Sequence, residues 1–177
     1  MVLSSLNAET QMIHIVGIDP GLAETGIGIV KGQGLNIYGY SFGNIHTLKS
    51  MPLAHRLNFI YSHIREILDK EKPDLIIVED VFSLGKNPKS GILLGNVTGA
   101  VLLAGCHSSV PVTQVPVREV KKILTGNGNA GKEQLEKSVR HTLNHPQAIR
   151  PFHSADALAL ALIGLYRFDT FKRNGIK

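Results

Sequence analysis

Cysteine is almost absent: Cys106 is the single one in 177 residues. An intramolecular disulfide and a zinc cluster built from cysteines are therefore excluded, and a reducing compartment fits. The opening residues, MVLSSLNAETQM, lack both the basic start and the apolar core of a secretory signal. No uninterrupted apolar run approaches membrane-spanning length. These absences predict a soluble, cytoplasmic protein with no membrane partner. Internal repeats and low-complexity tracts are also missing. Residues 1–12 read as a polar N-terminal extension with no assigned function, and Met12 is an alternative start.

What is present is enough apolar material for one core. With 43% hydrophobic residues, a chain of this length buries about two-thirds of its unfolded surface. A single domain over residues 13–168 is expected, followed by a basic C-terminal tail over 169–177. The formal charge of +5 attracts polyanions, although many proteins that touch no nucleic acid share such an excess.

Residues 13–19 read as a strand ending in the turn Asp19-Pro20-Gly21, with Ile13 and Ile15 on the side that carries Asp19. Strands at 25–30 and 35–42, joined by the glycine-rich link 31–34, extend it into an antiparallel meander. Apolar residues at helical spacing from Leu53 to Leu68 predict an amphipathic helix over 52–70. The run Leu75-Ile76-Ile77-Val78 predicts a strand buried on both faces, with Glu79 and Asp80 at its carboxyl end. Further helices are expected at 90–105, 117–124, 132–143 and 154–168, with a short strand at 112–115. Antiparallel strands followed by helices alternating with buried strands predict an α/β, RNase H-like fold, a mixed five-stranded sheet flanked by helices.

Four side chains carry the chemistry. A phosphodiester repels nucleophiles, and enzymes that cut it without covalent catalysis commonly use Mg²⁺ or Mn²⁺ held by clustered carboxylates from several elements. Asp19 ends the first strand, where it also suits a plain Asp-Pro-Gly turn. Glu79 follows a buried strand, where it either enters a site or simply reaches solvent. His153 and Asp156, three apart at the start of an apolar helix, face one point beside the sheet. They also fit the roles of a capping imidazole and a first-turn acid. The apolar residues 155–162 around Asp156 demand a compensating cation or donor for its carboxylate.

The segments Gly17-Ile18-Asp19-Pro20-Gly21 with Thr25-Gly26, Val78-Glu79-Asp80-Val81-Phe82, and His153-Ser154-Ala155-Asp156-Ala157-Leu158-Ala159 resemble, in order and spacing, the catalytic segments of the RuvC family of Holliday-junction resolvases. The resemblance runs from about Ile13 to Phe168. It implies that Asp19, Glu79, His153 and Asp156 bind two divalent ions per subunit, Mg or Mn, and activate a water against the scissile phosphate. It further implies symmetric cleavage of four-way junction DNA by a homodimer during recombination and repair, and cooperation with the RuvA and RuvB branch-migration proteins. The family fills position 153 with aspartate or histidine. Imidazole suits Mn²⁺ better than Mg²⁺, so higher activity is predicted with Mn²⁺. Strand alternation turns Asp80 away from Glu79.

The same resemblance sets Phe82 against bases at the junction centre and Lys121 and Lys132 against phosphates. Without it, Phe82 reads as a core residue and the lysines as a solvated helix face. Lys86, Lys89 and Arg118 are further phosphate candidates. The stretch GNGNAGK at 126–132 fits half of a phosphate-binding loop. Glu133 stands where Ser or Thr should hold Mg²⁺, and the stretch follows a helix, so it reads as a DNA-contacting loop. Two other functions compete. An actin-like phosphotransferase would use Asp19-Pro20-Gly21 and Thr25-Gly26 as a phosphate loop, but needs two domains. A junction-binding module without catalysis leaves four candidate ligands unexplained.

Overall fold

Side chains alternate between two faces along β1 (Ile13–Asp19), and each face has its own core. The computed structural model describes residues 12–80 and 88–173, with residues 88 and 89 as backbone only. In it β1 sends Ile15 to one core and Val16 and Ile18 to the other. The same parity recurs in β4 (Leu75–Glu79), whose Leu75 and Ile77 join Ile15 while Ile76 and Val78 join Val16. The period of two therefore places Asp19 and Glu79 on one face.

β2 (Glu24–Gln33) and β3 (Asn36–His46) run antiparallel beside β1, whereas β4 and β5 (Val112–Val115) run parallel to it, giving the order β3-β2-β1-β4-β5. Both antiparallel strands extend beyond their expected limits. The expected link over 31–34 is therefore mostly strand, and Gly34 turns the chain at φ 57°. The remaining elements are α1 (Leu53–Glu71), α2 (Pro88–His107), α3 (Val117–Thr125), α4 (Lys132–Thr142), α5 (Phe152–Tyr166) and α6 (Phe168–Arg173). The first two helices cover the Val16 face, and α5 covers the Ile15 face with α3 and α4 outside it. The mixed five-stranded sheet flanked by helices is as expected.

Part of the stretch expected as a C-terminal tail is helical instead. Phe168 and Phe171 of α6 pack against the α5 core, which holds the chain after α5 ends. The expectation about apolar runs applies to uninterrupted ones only. Ser90–His107 of α2, despite the polar Asn96 and Thr98, is long and apolar enough on average to cross a bilayer. In this fold α2 buries Val97, Val101 and Ala104 against the sheet and leaves Ile92, Leu102 and Leu103 exposed.

The central helix is nearly all apolar because it is surrounded. Leu158, Leu162 and Ile163 have no exposed surface, and burial of each such side chain contributes about 1.5–3 kcal/mol. α5 comes close to the strands where side chains are missing. A Cβ on Gly17 would lie 2.1 Å from the Ala157 carbonyl oxygen, and one on Gly28 would lie 2.4 Å from the Leu158 nitrogen.

Candidate active site

The ladder pairs Ile18 with Val78, so the next residues, Asp19 and Glu79, end neighbouring parallel strands on the α5 face. The first turn of α5 brings His153 and Asp156 over that edge. Ser154 Oγ donates to the Gly43 carbonyl at 3.0 Å and ties this turn to β3. His153 Nδ1 lies 2.5 Å from Asp19 Oδ2, its N–H donating to the carboxylate. Asp19 is 5% exposed. On the other side, Thr25 Oγ1 donates to the Gly21 carbonyl at 2.7 Å and closes the turn after β1.

Proximity and burial leave these acids strongly perturbed. Burial, followed by the charge of Asp19 and a hydrogen bond with it and then by Asp156, pushes Glu79 up to about 8 against the opposing charge of Lys121. Burial and then Asp19 push Asp156 up to about 6, while Lys132, His153 and Lys121 pull the other way. The hydrogen bond to Asp19 raises His153 against the effect of burial. Glu79 and Asp156 are therefore both harder to ionise here than in water, and a nearby positive charge would ease their ionisation.

All four expected ligands meet here, yet they do not stand as a preformed metal cage. Among the described residues, no group of three or more His, Cys, Asp or Glu is arranged to hold an ion. Asp19 faces His153 through the Oδ2 contact with its Nδ1. The donor set, three carboxylates and one imidazole, suits a hard or borderline divalent ion.

Comparison with known proteins identifies the family. The family model of crossover junction endodeoxyribonuclease RuvC matches residues 15–164. The chain belongs to the RuvC family. The RuvC endonuclease of Desulforamulus reducens is 35% identical over 89% of this chain and 96% of its own length. That of Bordetella avium is 39% identical over 85% and 82%. The structure of Thermus thermophilus RuvC in complex with Holliday junction substrate superposes with a TM-score of 0.83 at 32% identity, covering 90% of this chain and 96% of that one. RuvC enzymes are divalent-metal-dependent nucleases, and their sheet and flanking helices match the RNase H-like architecture found here.

The RuvC-like site is bordered by two of the expected DNA-contacting lysines. Lys121 of α3 and Lys132, the first residue of α4, are close enough to act on the acids electrostatically. Arg118 is exposed and lies against the loop after α3, its Cγ 2.9 Å from where a Cβ on Gly128 would be. Helix α3 ends there because Gly126 takes the left-handed conformation at φ 76°. Phe82 and Lys86 lie outside the described residues, as does the side chain of Lys89.

Glu24 near the site was missed in the sequence, and Gly26 stood out there only as part of the Thr25-Gly26 segment. Glu24 opens β2, is held by Asn44 Nδ2 at 2.6 Å, and raises His153 through its charge. Gly26 pairs with Asp19 across the ladder, and a Cβ there would lie 2.0 Å from the His153 carbonyl oxygen. Strand alternation was the available signal: residues 24, 26 and 28 share the α5 face.

Proposed function

We propose that this chain resolves four-way DNA junctions by divalent-metal-dependent hydrolysis, with Asp19, Glu79, His153 and Asp156 as its catalytic and ion-binding residues. The observation that carries this assignment is the convergence of three buried or half-buried carboxylates and one imidazole at the carboxyl ends of β1 and β4. Two Mg or Mn ions per subunit fit a donor set drawn from three elements. A bound cation supplies Lewis-acid stabilisation of charge on the phosphate. Asp19, Glu79, His153 and Asp156 would hold such ions, and their positive charge would offset the cost of ionising the buried Glu79. The substrate assignment follows the RuvC relatives, one of which is seen with a Holliday junction.

Lys121 and Lys132 neutralise phosphates flanking the cut, Lys86, Lys89 and Arg118 extend the basic track, and Phe82 stacks on an unpaired base at the centre. Two matched incisions in a two-fold junction call for a two-fold dimer. The α1/α2 face suits a second copy. A groove of about 770 Å³ between Leu57, Tyr61, Gly95, Gly99, Leu103 and Cys106 lies beside the exposed Ile92 and Leu103. Cooperation with RuvA and RuvB belongs to the same reading and rests on family membership.

The test compares a synthetic mobile four-way junction with a linear duplex in Mg²⁺, Mn²⁺ and chelator, alongside Glu79→Gln. Paired nicks confined to the junction, lost in chelator and in the variant while junction binding survives, are expected. Binding without cutting in any metal would leave a recognition module and overturn the catalytic assignment.

A further inference from the structure

Glu136 lies in the middle of α4, is 3% exposed, and sits among the apolar residues Leu135 and Val139. A buried carboxylate in such company is costly unless its oxygens are paired and hydrogen-bonded. Its contacts show what it does. Glu136 Oε1 accepts the backbone N–H of Ile149 at 2.9 Å and Arg140 Nε at 3.1 Å. Ile149 itself is fully buried.

Ile149 is the last fully buried point before α5 begins. Between α4 and α5 the chain has no regular structure. Other side-chain contacts there come from His145, whose Nδ1 lies 2.7 Å from Tyr40 Oη of β3, and from Arg150, whose guanidinium donates to the Ile149 carbonyl at 2.9 Å and stacks over the Phe152 ring. The N-terminus of α5 has no side-chain cap, and three residues separate Ile149 from His153. The place where Ile149 is pinned, together with the Ser154 bond to Gly43 and the seat on Gly26, thus sets where the first turn of α5 is delivered to Asp19.

We infer that Glu136 is a positioning residue for the active site. Its hydrogen bond to the Ile149 N–H fixes the lead into α5 and so holds His153 and Asp156 against Asp19 and Glu79. The inference rests on His153 and Asp156 being ion ligands, and it separates from that assignment because the backbone anchoring can be read without metal.

The experiment uses the full chain with Glu136→Leu, Glu136→Gln and, as a control for lost packing, Leu135→Ala on the same helix. Glu136→Met replaces the leucine variant where the latter does not fold. Amide hydrogen exchange over 149–156 is measured without metal, Mn²⁺ affinity by calorimetry, and junction cleavage under single-turnover conditions. The apolar variant is expected to exchange at least about tenfold faster over 149–156 and to bind Mn²⁺ roughly tenfold more weakly, the usual effect of removing an outer-shell support. Glu136→Gln, whose carbonyl oxygen still accepts the Ile149 N–H, should restore both. Wild-type exchange in the apolar variant would overturn the inference. An equal loss of Mn²⁺ affinity in Leu135→Ala, measured at the same distance below its Tm, would overturn it too. Faster exchange with unchanged Mn²⁺ affinity, together with wild-type Mn²⁺ affinity in His153→Ala, would instead sink the ligand assignment.

Discussion

The carbonyl oxygen of His153 lies directly over Gly26, the residue that pairs with Asp19 across the β1–β2 ladder, so close that a Cβ on Gly26 would stand 2.0 Å from it. The helix that carries half of the site is thereby seated on the strand beside the other half. Gly26→Ala must lift the first turn of α5. It is expected to cost about 1–3 kcal/mol in urea unfolding, as overpacking does. It should also slow junction cleavage by about 100-fold, the scale of a 1 Å misplacement. Cleavage at the wild-type rate would show that the turn is not held there.

Protonation should govern the stability of the metal-free protein. Glu79 at about 8 and Asp156 at about 6 both lie above ordinary carboxylate values, and His153 is also raised. A group raised on folding favours the fold fully below its unfolded value, and that contribution is lost as pH rises through the folded value. The Tm of metal-free protein should therefore fall between about pH 5 and about pH 8, and Glu79→Gln should flatten the decline. Mn²⁺ should stabilise more at the upper end, where no proton competes with it. Calorimetric scans across that window check the sign, and a rising Tm would contradict it.

The imidazole at position 153 is expected to set the metal preference. Wild type should turn over faster in Mn²⁺ than in Mg²⁺, and His153→Asp should narrow that ratio because carboxylate oxygen suits Mg²⁺. Metal titrations of both proteins on one junction provide the measurement. Equal or better turnover of wild type in Mg²⁺ would refute the preference.

Lys121 and Lys132 act on charge that extends beyond the acids. Replacing either with alanine should weaken junction binding and lower the slope of log affinity against log salt by about one unit. An unchanged slope would return that lysine to the solvated surface.

Leu103 is 55% exposed beside the groove between α1 and α2. Leu103→Glu should convert the proposed dimer to monomer in sedimentation equilibrium and uncouple the two nicks, with the unfolding midpoint of the isolated chain little changed. A dimer that survives this change would move the interface elsewhere.

Much of this was legible along the chain because it depends on local periodicity. A period of two carried Asp19 and Glu79 to one face of the sheet, and a spacing of three carried His153 and Asp156 to one side of α5. Apolar runs marked the strands buried on both sides. Boundaries moved where tertiary contacts extended an element. β2 and β3 grew through their pairing with each other, and α6 formed where Phe168 and Phe171 found a core. Strand alternation could have placed Glu24 on the α5 face, but Glu136 was not legible as a neighbour of the site, since its contact with Ile149 joins α4 to the lead into α5.

The sequence by itself determined the residue types, their order and the faces on which they lie, because side-chain direction follows from backbone period alone. Only the tertiary structure decided how deeply α5 sits on β1 and β2, which carboxyls are pushed up by burial and by each other, and that Asp19 meets His153. Those outcomes depend on distance and burial between segments far apart in the chain, and electrostatic interactions change steeply with both.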